Sequence, residues 1–415
     1  INILDKGKQK FPLYQKEQGA KNTLSGNKVT AAFQDSQGFL WLGTLGNGLN
    51  RLNLETGVYT HYLTNTQTYE NRIRGISEES NENLWVATDY GVVRYKPGRN
   101  KMIHYTANQN DTTSLLGDPV YDICEDSDGN IWITVWGEGV NRINKEDLDK
   151  PPEQTPIIAY PKGVQQFGMP YMDVYDILCT QTGRLIFMSD WGVMEYKKHI
   201  NRFDSVFRAN ARCAVELSNG EILIGTIDRG IVRLSDSLEL ISVLSKKDGL
   251  PFNSIYAIVE DNNQNLWLSS DKGLIHFQVD EISFQTYNKN DGVCVNTLGM
   301  KSGTKLNTGQ IVFGGTGGYN LFYPHQIKEN KYAPPIAITG FYLFNHKIEY
   351  GKSNEFDFTL DKTITETEKI TLNYNQNFFH FEFAALSYSF TPGNTYSYML
   401  EGFDNEWRTT NTQNR

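Results

Sequence analysis

Acidic and aromatic side chains recur at one kind of position in this chain, in a short polar loop that follows a short apolar run. Flat aromatic faces beside carboxylates and cations suit a sugar or another polar small molecule, because a sugar ring stacks on the aromatic face while hydrogen bonds fix its orientation. The candidate ligand-binding residues are Asp89, Tyr90, Trp136, Glu138, Asp190, Trp191, Asp228, Arg229, Asp271 and Lys272.

A structural role is the alternative interpretation of these loops. Asp and Asn are common turn residues, and Trp136 or Trp191 has the size to fill a narrow central axis. The loops require only a nearby Gly, so their Trp, Tyr and charged residues exceed what a turn needs. Two further copies of the loop read Leu45-Gly46-Asn47 and Gly317-Gly318-Tyr319.

Catalysis and metal binding are less well supported. Paired carboxylates about 5–10 Å apart hydrolyse glycosides, but here the acids recur at one position, as turn preference produces. The segment Asp126-Ser127-Asp128-Gly129-Asn130 begins like a calcium loop, yet its Gly comes too early and no closing Glu follows. Since Asp35 to Gly38 occupies the same place in another copy, we expect a hairpin turn. We predict no catalytic residue, metal or cofactor.

The loops belong to an internal repeat with seven copies, and this repeat predicts the fold. Successive intact copies are spaced within the range of about 40–50 residues that is typical of propeller blades. Each copy has an alternating strand, a Gly or Asn turn, a central strand that is apolar on both faces, and two further strands. The central tripeptides are Leu40-Trp41-Leu42, Leu84-Trp85-Val86, Ile131-Trp132-Ile133 and Leu266-Trp267-Leu268, with degenerate versions at Leu185-Ile186-Phe187, Ile222-Leu223-Ile224 and Ile311-Val312-Phe313.

The sequence therefore predicts an all-β protein with a seven-bladed β-propeller over residues 1–327. The segment 8–15 resembles an outer strand, and the seventh copy, near 296–323, has only a weak outer strand. We expect the N-terminal segment to complete the last blade, because a closed ring leaves no unpaired edge.

Beyond Tyr323 the repeat stops, and Ala333-Pro334-Pro335 marks a linker. Residues 328–415 are predicted to form a truncated, Ig-like β-sandwich with strands at 336–341, 369–374, 378–384 and 396–400. The segment Glu401-Gly402-Phe403-Asp404 is predicted to form a turn between strands or, alternatively, a surface that contacts a partner subunit.

Composition excludes some classes of partner. The chain has 39 Lys and Arg against 48 Asp and Glu, a net charge of −9, which argues against nucleic acid. No apolar run is long enough to span a membrane, and no signal peptide is recognised. The four Cys residues (Cys124, Cys179, Cys213 and Cys294) are too scattered for a disulfide scaffold or a zinc site, so we expect buried free thiols.

The string Trp41-Leu42-Gly43-Thr44, followed by Gly48-Leu49-Asn50-Arg51-Leu52, resembles the two-component regulator propeller repeat, as does the segment 249–256. The tail from Tyr388 to Trp407 is similar to the Tyr-rich sandwich module that follows such propellers. This resemblance implies the periplasmic sensor region of a hybrid histidine kinase of the Bacteroidetes type, which detects breakdown products of complex glycans. Such regions usually carry two propellers, the sandwich, one membrane span and cytoplasmic kinase modules. This chain has one ring of repeats, a shortened sandwich and no kinase-like segment.

The leading hypothesis is therefore a non-catalytic, periplasmic sensor module that binds an oligosaccharide or another polar small molecule. We expect a homodimer in the intact receptor and membrane attachment only through segments further downstream. The alternatives are a propeller used as a protein-docking scaffold and a propeller lyase or hydrolase that acts on a glycan.

Overall fold

The structure is a computed structural model that describes residues 10–64, 68–279, 281–294, 301–327, 335–352, 355–386 and 395–411. The chain divides into two compact units, Gln9–Ile327 and a second unit made mainly of Lys328–Arg415. Among the described residues, no helix is long and apolar enough to cross a membrane.

The first unit contains seven four-stranded antiparallel sheets within its described residues, here called blades 1 to 7. Blade 1 comprises β2 (Val29–Gln34), β3 (Leu40–Thr44), β4 (Gly48–Leu52) and β5 (Tyr59–Tyr62); blade 2 comprises β6 (Ile73–Glu78), β7 (Leu84–Thr88), β8 (Gly91–Lys96) and β9 (Lys101–Tyr105). Blade 3 comprises β10 (Val120–Glu125), β11 (Ile131–Val135), β12 (Gly139–Ile143) and β13 (Ile157–Pro161); blade 4 comprises β14 (Val174–Cys179), β15 (Leu185–Ser189), β16 (Val193–Lys197) and β17 (Arg202–Phe207). Blade 5 comprises β18 (Ala211–Glu216), β19 (Ile222–Thr226), β20 (Ile231–Leu234) and β21 (Leu240–Leu244); blade 6 comprises β22 (Ile255–Glu260), β23 (Leu266–Ser270), β24 (Gly273–Gln278) and β25 (Ser283–Tyr287). Blade 7 comprises β26 (Gly303–Lys305), β27 (Ile311–Gly315), β28 (Gly318–Phe322) and β1 (Leu13–Tyr14).

Short 3-10 turns connect several of these strands. They span Tyr69–Asn71, Pro97–Arg99, Lys145–Asp147, Pro152–Gln154, Gln165–Phe167, Lys198–Ile200, Lys246–Asp248, Lys289–Asp291 and Pro324–Gln326, and one more lies in the second unit at Ile364–Glu366.

The first strand of each blade lies at the centre of the ring. These inner strands contact one another in chain order from β2 to β26, and β26 also contacts β2, so the ring is closed. The predicted all-β propeller class is confirmed.

The N-terminal strand β1 supplies the outer strand of blade 7. Leu13 pairs with Asn320 and Tyr14 pairs with Tyr319. Just before β1, Phe11 is fully buried and packs edge-on against Phe322, with ring centroids 4.8 Å apart. The paired strand is shorter than the predicted segment 8–15, of which residues 8 and 9 lie outside the described residues.

The tryptophan of the repeat fills the space between neighbouring blades. Trp41 is fully buried and packs with Ile73, Leu84 and Tyr95 of blade 2. Its indole N–H donates to the carboxylate of Asp35 at 2.6 Å. A buried indole N–H needs such an acceptor, which explains why an acid stands six residues before this tryptophan.

The Gly at the start of the third strand is required by backbone geometry. At Gly139 the φ angle is +130°, and a Cβ there would lie 2.3 Å from the carbonyl oxygen of Tyr160. No L side chain fits such a close approach of the two strands.

Neighbouring blades are also joined at the ends of their inner strands. The carboxylate of Glu78 in blade 2 accepts hydrogen bonds from the backbone N–H and the hydroxyl of Ser36 in blade 1, at 2.8 and 2.9 Å. Glu125 and Glu260 bind Ser80 and Ser218 of their preceding blades in the same way.

At the corresponding position of blade 4 stands Cys179, and the structure joins it by a disulfide to Cys124 of blade 3. The prediction of free thiols is therefore wrong for this pair, and it agrees with the structure for Cys213 and Cys294, which are buried and free. The two bonded residues are 55 positions apart in sequence, and only the pairing of adjacent blades brings them together.

The second unit contains two small antiparallel sheets among its described residues. One has the order β30 (His346–Lys347), β29 (Ile336–Leu343) and β31 (Phe379–Ala385), and the other pairs β32 (Thr395–Tyr398) with β33 (Arg408–Asn411). The Ig-like sandwich itself stays a prediction. Ala333 and Pro334 of the predicted linker, and Tyr388 of the predicted sandwich module, lie outside the described residues.

The strand predicted over 369–374 is wrong. No strand forms there, and Ile370 and Leu372 instead pack onto the cluster of Phe341, Leu343 and Leu360. The alternation of apolar and polar residues in this segment thus comes from burial of Ile370 and Leu372 on one side, and the segment pairs with no strand among the described residues. The predicted turn at 401–404 is present, where the Asp404 carboxylate accepts the Leu400 N–H at 2.9 Å and binds Arg408 at 2.6 Å.

Candidate functional site

A β-bulge interrupts the pairing near the start of each inner strand of blades 1 to 6. The second residue of the strand is left unpaired, and such a residue is directed away from the ladder. The residues at these bulges are Thr30, Arg74, Tyr121, Tyr175, Arg212 and Tyr256. One end of the ring therefore presents a set of tyrosines and arginines around its centre.

Five of these residues form a partly buried group that we call the channel mouth: Arg74, Tyr121, Tyr175, Arg212 and Tyr256. The guanidinium carbon of Arg212 lies 3.7 Å from the ring centroid of Tyr175, and that of Arg74 lies 5.2 Å from that of Tyr121. The rings of Tyr121 and Tyr175 meet edge-on, with centroids 5.7 Å apart. The arrangement is a row of stacked aromatic and cationic groups that spans blades 2 to 5.

The two arginines of the channel mouth differ in their partners. Arg74 is held by the carboxylate of Asp89, with Nε 2.6 Å and Nη2 3.1 Å from its two oxygens. Arg212 makes no ion pair with the described residues, and its buried Nη1 has no hydrogen-bond partner among them. Because a buried guanidinium N–H without an acceptor is costly, this side chain is prepared to bind a ligand oxygen, above all an anionic one.

An ion-paired lysine lies directly beneath the channel mouth. The Nζ of Lys301, which precedes β26 in blade 7, lies 2.8 Å from the Asp122 carboxylate and 2.7 Å from that of Asp176. These acids follow Tyr121 and Tyr175 in the inner strands of blades 3 and 4. Since blade 7 lies across the ring from blades 3 and 4, the lysine side chain crosses the central channel and forms a floor under the mouth.

Burial and mutual repulsion govern the charges of this floor. Desolvation, reinforced by the neighbouring Asp122, raises the pKa of Asp176 to about 7, although Lys301 acts to lower it. Burial acts to lower the pKa of Lys301, but the two carboxylates outweigh it and raise the pKa above its ordinary value. The lysine therefore remains a cation at neutral pH.

Two tyrosines of the channel mouth, Tyr121 and Tyr256, remain neutral hydrogen-bonding groups. Burial raises the pKa of Tyr121, against the opposing effect of Arg74. Burial also raises the pKa of Tyr256, and the negative charge of Asp271 adds to this effect. Their hydroxyls can therefore donate to, as well as accept from, a polar ligand.

Three of the sequence-predicted residues lie beside this group. Asp89 binds Arg74, Asp271 acts electrostatically on Tyr256, and the ring of Trp136 lies 6.4 Å from that of Tyr121. Trp136 is 44% exposed, so its face is accessible beside the channel mouth.

The other predicted residues are spread around the rim. Asp190 and Asp228 accept the backbone N–H groups of Asp173 and Asn210, at 2.8 and 3.2 Å, which ties each loop to the start of its own blade. Trp191 lies under the guanidinium of Arg208, 4.3 Å away, and is partly buried.

Arg229 lies over the ring of Phe207 in the preceding blade, at 5.8 Å, and Lys272 lies over the ring of Phe252 just before its own blade, at 5.4 Å. Tyr90 and Glu138 are exposed. The structure thus brings Asp89, Trp136 and Asp271 to the mouth and leaves the rest at the periphery.

Sequence reasoning missed the channel mouth itself. Its signal is a large polar residue between apolar ones, as in Val120-Tyr121 or Ile255-Tyr256, which also fits the solvent side of an ordinary strand. Only the bulges and the ring bring these positions together. Among the described residues, no group of three or more His, Cys, Asp or Glu side chains could hold a metal ion.

Comparison with known proteins agrees with the repeat. The sequence profile of the family described as "Two component regulator propeller" matches residues 23–46, 114–137 and 249–272. This chain carries two-component regulator propeller repeats. It is 26% identical over 407 residues to Histidine kinase P4 of Formosa agariphila. The aligned region covers 94% of this chain and 29% of that protein.

Among solved structures, the extracellular domain of BT3049 from B. thetaiotaomicron, described as a hybrid two component system, is similar to this chain. The TM-score is 0.74 and the identity 25%, over 98% of this chain and 53% of that one. The chain thus spans about half or less of these relatives. A streptogramin B lyase matches at a TM-score of 0.55 with 14% identity, over 72% of this chain and 95% of that one, which shows the fold alone.

Proposed function

We propose that this chain is the ligand-sensing part of a periplasmic region in a hybrid two-component sensor histidine kinase. Its homology to Histidine kinase P4 and to the BT3049 extracellular domain supports a sensor ectodomain. The disulfide between Cys124 and Cys179 fits an oxidising compartment outside the cytoplasm.

The ligand is a glycan-derived oligosaccharide that carries an acidic group, bound at the channel mouth. The observation that carries this proposal is Arg212, a partly buried guanidinium stacked on Tyr175 and without an ion-pair partner among the described residues. A sugar ring would stack on the exposed face of Trp136, and its acidic group would reach the guanidinium.

The signal would pass to the rest of the receptor by rigid-body movement of domains or subunits in a homodimer. A closed ring of seven packed blades is a rigid platform, so refolding is not needed. A ligand produces such a movement only if it binds one arrangement more tightly than the other.

The test is calorimetric titration of the purified chain with acidic and neutral oligosaccharides. Arg212→Gln should weaken binding of the acidic ligand at least tenfold, the size expected for a lost charge-assisted contact of about 1.5–3 kcal/mol. The matched control is Arg208→Gln, because Arg208 also stacks on an aromatic ring but lies outside the channel mouth.

Equal affinity of the Arg212→Gln variant and the wild type would refute the site. A glycan lyase or hydrolase is the second candidate, since a lyase shares the propeller fold. Reducing-end assays on the same mixtures separate the two functions, because a sensor leaves the oligosaccharide intact.

A further inference from the structure

Four of the seven blades place an indole ring between themselves and the next blade, always in the same setting. The indole N–H of Trp41, Trp85, Trp132 and Trp267 donates to an acid six residues earlier, at 2.6 to 3.2 Å. A tyrosine of the fourth strand packs on one side of each indole, with centroids 5.4 to 5.9 Å apart. An arginine of the third strand lies over the ring in blades 1 to 3.

Blade 5 has neither this indole, nor the acid that accepts its N–H, nor the tyrosine that packs on its ring. Strand pairing places Leu223 opposite Arg233 and Leu244 opposite Ile231, as Trp41 stands opposite Arg51 and Tyr62 opposite Leu49 in blade 1. Leucines therefore replace the tryptophan and the tyrosine. A third leucine, Leu217, occupies the place of the acid.

The arginine of the third strand and the aromatic ring of the next blade are both present. Arg233 still occupies the third strand, where its guanidinium now binds Glu221 with two contacts of 2.5 and 2.9 Å. Blade 6 still offers the ring of Phe277, which stands at the position of Tyr95 in blade 2 and Tyr196 in blade 4. In blades 2 and 4 that ring packs on the indole of the preceding blade, with centroids 6.0 and 4.5 Å apart.

A cleft of about 290 Å³ lies between blades 5 and 6 at this place. Its lining includes the residues just compared: Leu217, Leu223, Arg233, Leu244 and Phe277. The side chains of Asn219, Glu260 and Asn265 add polar groups to its wall. The cleft lies beside the turns that end the inner strands, at the face of the ring opposite the channel mouth.

The blade 7 to blade 1 contact shows that loss of the tryptophan does not by itself open a cleft. There Val312 stands at the tryptophan position, and it packs with the fully buried ring of Tyr319 and with Leu24. Between blades 5 and 6, by contrast, three leucines stand in place of the acid and both rings.

We propose that the cleft between blades 5 and 6 is a second ligand site, which binds a planar aromatic compound of about the size of indole that carries an N–H or O–H donor. The aromatic ring takes the position that the tryptophan holds in the sibling blades, between Leu223 and Phe277 and beside Arg233. The donor group meets the polar groups of the wall. This site is independent of the channel mouth and of the oligosaccharide proposed there.

The test uses indole as the probe, with saturation-transfer NMR and calorimetry on the full chain. A compound this small is expected to bind with a Kd on the order of 0.1–1 mM. Leu223→Trp should fill the cleft from within and weaken binding at least tenfold. Leu217→Asp combined with Leu223→Trp should do the same and raise Tm, because it restores the acid and indole pair.

The matched control is Leu240→Trp, which adds an indole to β21, the outer strand of blade 5. The Leu240 side chain is 53% exposed and does not line the cleft. This control variant should bind indole like the wild type. If the buried variants do not fold, Ser242→Trp at the exposed side of the cleft provides a block from the surface. Absence of saturable binding to the wild type, or unchanged binding in the folded blocking variants, overturns the proposal.

Discussion

Replacing Asp35 by Leu removes the carboxylate that accepts the indole N–H of Trp41 and, through its other oxygen, the backbone N–H of Phe39 at 2.8 Å. The indole is fully buried, so its N–H would find no water. Leaving one such donor unsatisfied costs about 1–3 kcal/mol. We expect Asp35→Leu to lower the free energy of unfolding of the propeller by about 2–3 kcal/mol.

Trp41→Leu damages the same place in a different way. It removes most of a large buried ring, for which losses of about 3–5 kcal/mol are typical, and it leaves the Asp35 carboxylate, only 6% exposed, without its indole partner. Combining both substitutions creates the pair of leucines that blade 5 carries at positions 217 and 223. The double variant has a cavity, but neither a lone indole N–H nor a lone carboxylate remains in it.

The double variant should therefore be more stable than the two single effects imply, by about 1–3 kcal/mol, the coupling expected of residues in direct contact. Scanning calorimetry of the four proteins measures this coupling. Circular dichroism should follow the same transitions, because fluorescence changes when the tryptophan is removed. Strictly additive losses would show that the acid is present for turn geometry alone and would refute our explanation of the degenerate blades.

Three further results are expected. The pKa of Asp176 is raised to about 7 from an ordinary 3.8, so between these pH values the folded state binds more protons than the unfolded state, and stability should fall as pH rises from about 4 to about 7. The melting temperature of Asp176→Asn should therefore depend less steeply on pH than that of the wild type. An unchanged slope would contradict the raised pKa of Asp176. Lys301→Met leaves Asp122 and Asp176 facing each other without a cation and should lower the free energy of unfolding by about 3–5 kcal/mol, most strongly at high pH where both acids are charged. A Tm equal to that of the wild type would exclude the lysine as a floor under the channel mouth. Reduction of the disulfide between Cys124 and Cys179 should lower stability by about 2–4 kcal/mol. In the variant Cys124→Ser with Cys179→Glu, the new Glu can bind Ser127 as the corresponding Glu and Ser bind each other in other blades. This variant should melt at the same temperature with and without reductant.

The repeat made the propeller predictable, because the periodic tripeptide around Trp41 reports a strand buried on both faces. The outer closure followed from the same reasoning, since an open seventh blade would leave an unpaired edge. The strand predicted around Ile370 and Leu372 failed because alternation reports burial on one side and does not by itself require a partner strand.

The candidate functional sites were less accessible to sequence reasoning. The loop residues were visible as a recurring position, yet Asp190 and Asp228 accept backbone N–H groups of their own blades and lie outside the channel mouth. Arg212 gave no distinct signal, because its importance depends on a bulge and on neighbours about 40 residues away in adjacent blades. Likewise, Leu223 read as a degenerate repeat, and only the retained Arg233 and Phe277 around it define a cleft.

We propose above all that the channel mouth is the oligosaccharide site of a sensor ectodomain. A crystal structure of this chain with a bound acidic oligosaccharide tests it most directly. We expect the acidic group within hydrogen-bond distance of the Arg212 guanidinium, with a sugar ring on Trp136. A ligand bound elsewhere, with no contact to Arg212, would refute the proposed site.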